Sequence, residues 1–341
     1  MIVSCGEALV DLVPRRDGDG YAARPGGSPA NVAAGLGRLG VDVALLARIA
    51  DDGFGRLLRA HLTDSHVDLS IAIPADEPTT LAVVTLGPQG AAEYTFYVEG
   101  SADGAWESGQ LPSKLPDGAA CLHVSGSLAL AVPGMGDTLE SLLRRERTRR
   151  TLTFDPNLRP RLSRDPAQLR ARLDRWITLV DLVKVSSDDL AWFAPGEPVE
   201  AVAARWRGRG PTLVVVTRGA AGVHALGPDG PVDLPAPRVR VADTVGAGDA
   251  FMSGLLAALD QGGRLARDRL ATIPIDTLTA ALTHAQRVAA LTCTRVGAEP
   301  PWQRELDAEH AGNLRASRPR ATGQGGVGLQ GHMGDGLPPL T

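Results

Sequence analysis

The run Asp243-Thr244-Val245-Gly246-Ala247-Gly248-Asp249-Ala250-Phe251 suits the transfer of a charged group. Small residues at 246, 247 and 248 let a backbone turn sharply and approach a ligand closely. They follow a strand-like stretch, Val239–Ala242, and lead into an apolar helical stretch that reaches Leu259. A helix starting there has N–H groups without internal partners, and these, with the helix dipole, favour an anion. A phosphoryl group in transfer fits that need, because its catalysis is largely positioning and charge stabilisation. Asp249 then has two readings. It serves the helix start, where Asp is favoured, or it accepts the proton of an attacking hydroxyl.

Other side chains have similar double readings. Asp11, in Gly6-Glu7-Ala8-Leu9-Val10-Asp11, is either a surface carboxylate in a turn or an acceptor for two neighbouring hydroxyls, as a sugar presents. Phe96 and Tyr97 are adjacent in a chain with only 4% aromatics. Alternation sends them to opposite faces, one over a substrate and one into packing, unless both pack. Arg159 has the charge and fork geometry for phosphate oxygens, or it is a surface Arg. Lys184 contacts phosphate or extends from a strand end towards solvent.

The elements that must position these groups alternate. Apolar runs Ile2–Cys5, Val43–Ile49, Leu81–Leu86, Ala120–Val124, Thr151–Phe154, Leu179–Val185 and Leu213–Thr217 read as strands, mostly covered on both faces. Between and after them, Pro29–Leu39, Gly55–Asp64, Met135–Arg149, Ala167–Thr178, Val199–Arg207, Ala247–Leu259 and Asp276–Cys293 read as helices. The pattern predicts an α/β doubly wound, mostly parallel sheet flanked by helices, with ligands at the strand carboxyl ends. Residues 8–25 and 79–103 break the alternation. Thr80–Leu86 and Glu93–Val98 read as a hairpin, and the two pieces together predict a small β-sheet lid. A single large α/β domain is expected over 1–310. Residues 311–341 are rich in Gly, Pro, Ser, Arg and Gln and are expected to be disordered.

Bulk properties narrow the class. A net charge of −4 gives no basic field for nucleic acid. The three cysteines form no CxxC pair, so neither zinc nor a disulfide framework is expected. There is no membrane-length apolar run and no signal-peptide pattern, so a cytoplasmic protein is expected. The first strand lacks a following GxGxxG and the chain lacks a Walker Gly-Lys-Ser/Thr, which excludes a dinucleotide-binding oxidoreductase and a P-loop kinase.

The 243–251 run resembles the C-terminal signature of the ribokinase (PfkB) carbohydrate kinases. Gly26-Gly27-Ser28-Pro29-Ala30-Asn31-Val32-Ala33, with Gly37 and Gly40, resembles that family's N-terminal signature. Two such motifs in the right order make chance improbable, and the resemblance covers roughly residues 2–308. It implies a ribokinase-like fold and ATP-dependent phosphorylation of a free sugar. Gly246, Ala247 and Gly248 would form the anion hole, Asp249 the catalytic base, and Asp11, Gly27 and Asn31 the sugar site, beneath Phe96. The segment Phe154-Asp155-Pro156-Asn157-Leu158-Arg159 resembles fructokinase-like members, in which the Asn and Arg, here Asn157 and Arg159, face substrate and phosphate.

By the same resemblance Thr217, Gly219 and Gly222 would meet the nucleotide phosphates, and Lys184 and Ser186 would lie beside them. His284 would line the adenine pocket, unless it is an ordinary helix-face His. Where the family often has Asn and Glu three apart, this chain has Ser186 and Asp189. That implies Mg²⁺ held by Asp189 through water. A K⁺ site would use Asp243, Val245, Thr292, Arg295 and Gly297, mostly through backbone carbonyls. Fructose is the first expected sugar, on the Gly-Gly-Ser-Pro-Ala-Asn motif, the Asp-Pro-Asn-Leu-Arg segment, the lid aromatics and Gly100-Ser101-Ala102-Asp103. Ribose, 2-keto-3-deoxygluconate and a nucleoside stay open, as does a catalytically silent sugar- or nucleotide-binding regulator. Residues 79–103 contain no Lys or Arg, which disfavours a phosphorylated substrate. An exposed lid edge makes a homodimer through the lid a further expectation.

Overall fold

In a computed structural model, the described residues are 1–15, 18–86, 92–163 and 165–308. The expected hairpin loop at 87–90 and the tail at 311–341 lie outside them. Strand β1 (Ile2–Cys5) sits inside an eight-stranded sheet with β4 (Val43–Leu46), β9 (Cys121–Ser125), β10 (Thr151–Asp155), β11 (Leu182–Ser186), β12 (Leu213–Thr217), β13 (Val223–Gly227) and β14 (Gly230–Leu234). The order is β14-β13-β12-β11-β10-β9-β1-β4, parallel from β12 to β4 and antiparallel at the β13–β14 end.

Alternate residues of these strands feed two separate cores. Ile2, Leu182, Leu213 and Val215 pack with helices Ser28–Arg38, Ala247–Gln261 and Ile275–Cys293 on one face. Val3, Leu122, Val183, Val214 and Val216 pack with Pro133–Glu146, Pro166–Ile177 and Val199–Arg207 on the other. That two-sided burial is why the strands are nearly continuous in apolar residues. Cys5 and Cys121 are buried free thiols.

The lid is a second sheet, ordered β3-β2-β7-β8, made from β2 (Leu9–Pro14), β3 (Tyr21–Gly26), β7 (Leu81–Leu86) and β8 (Ala92–Tyr97). In register, Asp11 sits opposite Ala82, and Ala82 opposite Phe96, so Asp11 and Phe96 share a face. Residues 99–103 turn back to the body as a 3-10 helix, Ala102–Ala105, and do not extend the sheet.

Two sequence expectations change, and one hairpin is new. Val43–Ile49 is not one strand: β5 (Arg48–Ala50) leaves the main sheet after Ala47 and pairs with β6 (Ile73–Ala75). Val239–Ala242 is irregular, with Val239 and Val241 exposed and no neighbouring strand; Ala242 N donates to Cys293 O instead. The β13–β14 hairpin had no counterpart among the expected elements; its loop is Pro228-Asp229, followed by Gly230 at φ 118°. No helix among the described residues is long and apolar enough to cross a membrane.

Candidate active site

The turn at 243–249 has the conformation its glycines permit. Gly246 is the N-cap of helix Ala247–Gln261, at φ 74°. A Cβ there would also stand 2.5 Å from the Ala298 Cβ, so both conformation and packing require glycine. The first helical hydrogen bond runs from Ala250 N to Gly246 O. The Gly248 and Asp249 N–H groups therefore precede the helical ladder. The Ala247 N–H is already engaged with Thr244 O at 3.2 Å, so it is a weaker candidate donor than its two neighbours.

Asp249 is held from both sides by the first motif. Ser28 Oγ donates to its Oδ1 at 2.6 Å, and Asn31 Nδ2 donates to its Oδ2 at 2.9 Å. Burial pushes the Asp249 carboxyl above its ordinary value, against the lowering effect of those two bonds and of Lys184. The two glycine motifs, far apart in sequence, thus meet at one carboxylate. Asn31, expected to hold a substrate, gives one amide N–H to Asp249.

Lys184 Nζ lies 2.9 Å from where a Gly248 Cβ would be, with no other atom within 4 Å of that point. It is buried and ion-paired with Asp155 Oδ2 at 2.8 Å. Burial alone would lower its affinity for a proton; Asp155, Asp249 and Asp189 outweigh that and raise it. Asp189 Oδ1 accepts from Leu158 N, which ties helix Ser187–Phe193 to the Asp155–Arg159 loop. Burial and the neighbouring Asp155 push Asp189 up. Ser186 caps helix Ser187–Phe193 by accepting from Asp189 N. In that loop Asn157 is at φ 39°, with its N–H on Asp155 Oδ1, and Arg159 Nη1 donates to Leu158 O.

Asp11 faces this group from the lid. Its Oδ2 packs against Gly26, where a Cβ would collide with it. Burial, then the like charge of Asp249, push Asp11 up to about 7, while Arg159 pulls it down. Gly27, at φ 97°, lies on the Glu7 carbonyl, where a Cβ would come to 2.6 Å. Phe96 stacks with Tyr94 at 6.0 Å between ring centroids. Tyr97 points the other way and is 59% exposed, so the alternation places Phe96, not Tyr97, on the Asp11 face. Tyr94 shares that face; burial and the charge of Asp11 raise its phenol.

Several further positions group elsewhere. Asp243 Oδ1 accepts from Val245 N at 3.1 Å and Oδ2 from Gly297 N at 2.8 Å, joining the turn to the 293–298 loop. In that loop Thr292 O accepts from Arg295 N, and the Arg295 side chain pairs with Glu305. Thr217 ends β12, and Gly219, at φ 52°, has open space around it. Gly222 is fixed by the turn into β13, where a Cβ would meet Leu234 O. His284 lies on helix Ile275–Cys293 with a buried Nε2 that has no protein partner. Among the described residues no group of three or more His, Cys, Asp or Glu could hold a metal ion by itself.

Sequence reasoning missed Ser28, Ser125, Tyr94, Asp155, Glu7 and Asp103. The last two are buried carboxylates at the lid's roots. Glu7 Oε1 accepts from Ser127 Oγ, while Oε2 has no partner. Neither Asp103 oxygen accepts a hydrogen bond of good geometry, though Thr80, Trp106 and the Ala8 N–H lie near enough to oppose its protonation. Burial pushes Glu7 to about 7 and Asp103 to about 8. A signal was present: each lies within a quoted motif, but as an acid beside apolar or small residues it carried no distinctive spacing.

The model of the pfkB family carbohydrate kinases matches residues 1–305. A fructokinase of Rhizobium leguminosarum bv. trifolii is 41% identical over 276 residues, 80% of this chain and 84% of that one. The crystal structure of a Xylella fastidiosa fructokinase with bound ATP superposes with a TM-score of 0.83 at 27% identity, covering 91% of this chain and 98% of that one. A Vibrio cholerae O395 fructokinase double mutant, in a form with fructose, ADP and potassium ion bound, gives 0.79 at 32% identity, covering 90% and 97%. The chain belongs to the pfkB family of carbohydrate kinases.

Proposed function

We propose that the protein is an ATP-dependent fructokinase in which Asp249 is the general base. The observation that carries the mechanism is the meeting of Asp249, the free N–H groups at the start of helix Ala247–Gln261 and Lys184 beneath a lid that presents Asp11. The choice of sugar is supported by the fructokinases to which the chain is similar over four-fifths or more of its length.

In the reaction, a sugar hydroxyl oxygen forms a bond to the γ-phosphorus while the bond from that phosphorus to the β–γ bridging oxygen breaks. ADP leaves with the bond's electron pair. The hydroxyl proton passes to an Asp249 oxygen and then to solvent. The Gly248 and Asp249 N–H groups, at the positive end of the helix, face the charge that develops on the transferred group. Lys184 adds a fixed positive charge beside them, kept protonated by Asp155. Asp11 accepts hydrogen bonds from sugar hydroxyls, Gly27 lets the sugar reach the backbone, and Phe96 covers it. Asn157 and Arg159 meet the sugar and the moving phosphate. Thr217, Gly219, Gly222 and Ser186 border the nucleotide phosphates, and His284 the adenine.

The donor set fits a magnesium ion carried by ATP. Asp189 and Asp155 present acidic charge without forming a protein cage, as expected for an ion that keeps several waters. When bound, the ion neutralises phosphate charge. Backbone carbonyls of Asp243, Val245, Thr292, Arg295 and Gly297 are the proposed K⁺ ligands, supported by the hydrogen bonds that draw the two loops together. The protein acts in the cytoplasm, and two copies pair through the lid.

The test is ADP release across fructose, ribose, 2-keto-3-deoxygluconate and nucleosides, with Asp249→Asn as control. Fructose is expected to give the highest kcat/KM, and Asp249→Asn to lose about 100-fold or more in turnover. Wild-type turnover by that variant removes Asp249 as base; preference for another sugar removes the fructose assignment.

A further inference from the structure

Asp249 accepts a hydrogen bond from Ser28, and Ser28 accepts one in turn. Ser125 Oγ donates to Ser28 Oγ at 2.7 Å, and Ser28 Oγ donates to Asp249 Oδ1 at 2.6 Å. Both serines are buried, at 5% and 0% exposure. They come from different parts of the fold: Ser28 opens helix Ser28–Arg38, and Ser125 ends β9. The helix start is itself pinned, since Ser4 Oγ donates to Pro29 O at 2.8 Å.

A hydroxyl has one proton to give. With Ser125 donating into it, Ser28 has its proton committed to Asp249. On the other oxygen, the Asn31 NH₂ is a donor only. The carboxylate is therefore met by donors on both oxygens, which suits its ionised form and opposes its protonated form. We propose that Ser28, backed by Ser125, is a positioning residue that tunes the base: this one-way hydroxyl chain holds Asp249 ionised and aimed before phosphoryl transfer and speeds loss of the captured proton afterwards. The proposal rests on Asp249 being the base. Once Asp249 carries a proton, neither neighbour is arranged to accept it, so its outlet is the solvent side.

Other groups facing Asp249 set the background. Lys184 of β11 favours the carboxylate, and Asp155 of β10 opposes it. Glu7 after β1 and Asp11 of β2 also feel its charge, as does Tyr94 of β8. The direct bonds from Ser28 and Asn31 lower the proton affinity that burial raises. Because Glu7 and Asp11 titrate near the same pH, the effect of Ser28 is read as a difference from wild type under identical conditions.

The experiment is the pH dependence of kcat for wild type, Ser28→Ala, Ser125→Ala and the double variant, with thermal melts to confirm folding. Loss of a hydrogen bond to a charged group should move the acid limb of Ser28→Ala up by about one pH unit, so that kcat falls by up to about tenfold on the acid side of the limb. KM for sugar and ATP should stay within about threefold, since neither serine is placed against a ligand. Ser125→Ala should shift the limb less, in the same direction. The double variant should match Ser28→Ala, because Ser125 acts through Ser28. Ser28→Thr, which keeps the hydroxyl, should restore the wild-type limb. A uniformly lower kcat with an unmoved limb would make Ser28 a packing residue and overturn the proposal, as would additive shifts in the double variant. If Ser28→Ala fails to fold, the limb of Ser125→Ala decides. Asp249→Asn separates the two levels: an inactive Asp249→Asn with unshifted serine variants refutes the chain alone, whereas an active one refutes the base itself.

Discussion

Alanine at Gly246 and alanine at Gly248 stand two residues apart, yet the geometry predicts opposite effects on stability. At 246 the residue is held at φ 74°, a left-handed conformation that costs an L residue about 1–2 kcal/mol. The added methyl would also sit 2.5 Å from the Ala298 Cβ and 2.8 Å from its Cα, and relieving an overpacked contact of this kind costs about 1–3 kcal/mol. Together Gly246→Ala should lose roughly 2–5 kcal/mol, or at least about 4 °C in melting temperature at 2–4 °C per kcal/mol. At 248 the residue is helical, and the one atom within 4 Å of an added Cβ is Lys184 Nζ at 2.9 Å, the far end of a flexible side chain. Gly248→Ala should keep or raise the melting temperature, by up to about 1 kcal/mol from helix propensity. Both should lose turnover by about 100-fold or more, the scale on which removing one donor to a developing charge acts. Calorimetry and ADP release read the two properties separately. A Gly246→Ala protein as stable and active as wild type would refute the account of the turn, and so would a Gly248→Ala protein with full activity.

Three further outcomes follow from the charges around the site. Asp11 titrates near 7 and binds sugar as a carboxylate, so fructose affinity measured by calorimetry should rise as pH increases from 6 to 8; Asp11→Asn should bind weakly at every pH, and a flat wild-type curve would contradict this role. Lys184→Met should lower kcat far more than it raises the sugar KM; the reverse split would move Lys184 out of the transition-state contacts. Asp103 has its affinity for protons raised, to about 8, so its folded state is favoured on the acid side and loses stability as pH rises through 8. Asp103→Asn should therefore be more stable than wild type at pH 9, by about 1 kcal/mol or more, the cost of a buried charge that its neighbouring donors compensate incompletely; an equal or lower melting temperature there would show that those donors hold the carboxylate fully.

The central sheet was legible because burial on both faces writes continuous apolar runs, and the Ile2/Val3 and Leu182/Val183 alternation sorts them into two cores. The lid was legible because residues 8–25 and 79–103 interrupt the strand–helix alternation and the second of them carries a hairpin pattern. What escaped was set by tertiary contact. Val239–Ala242 has strand-like residues but no neighbour to pair with, and its place is decided by Cys293 O. Arg48 reads as the middle of a strand, yet it pairs with Glu77 and donates to Ala102 O, which draws β5 out of the main sheet. For Asn31, expected to meet a substrate, the approach of helix Ala247–Gln261 adds a bond from its amide N–H to Asp249 that the sequence did not signal. Ser28 carried no signal, since a serine at a helix start is usually explained by capping. Here its side chain makes no cap bond and reaches across to a residue 221 positions away.

Asp243 holds Val245 N with one oxygen and Gly297 N with the other, and Gly246 packs directly on Ala298. The 243–249 turn and the 293–298 loop are thus one mechanical part with two ends. A cation or a substitution that shifts the loop must shift the turn by the same linkage, and an anion that orders the turn must order the loop. Changes made near Gly297 for other purposes, such as an altered nucleotide preference, will therefore register in the rate of phosphoryl transfer.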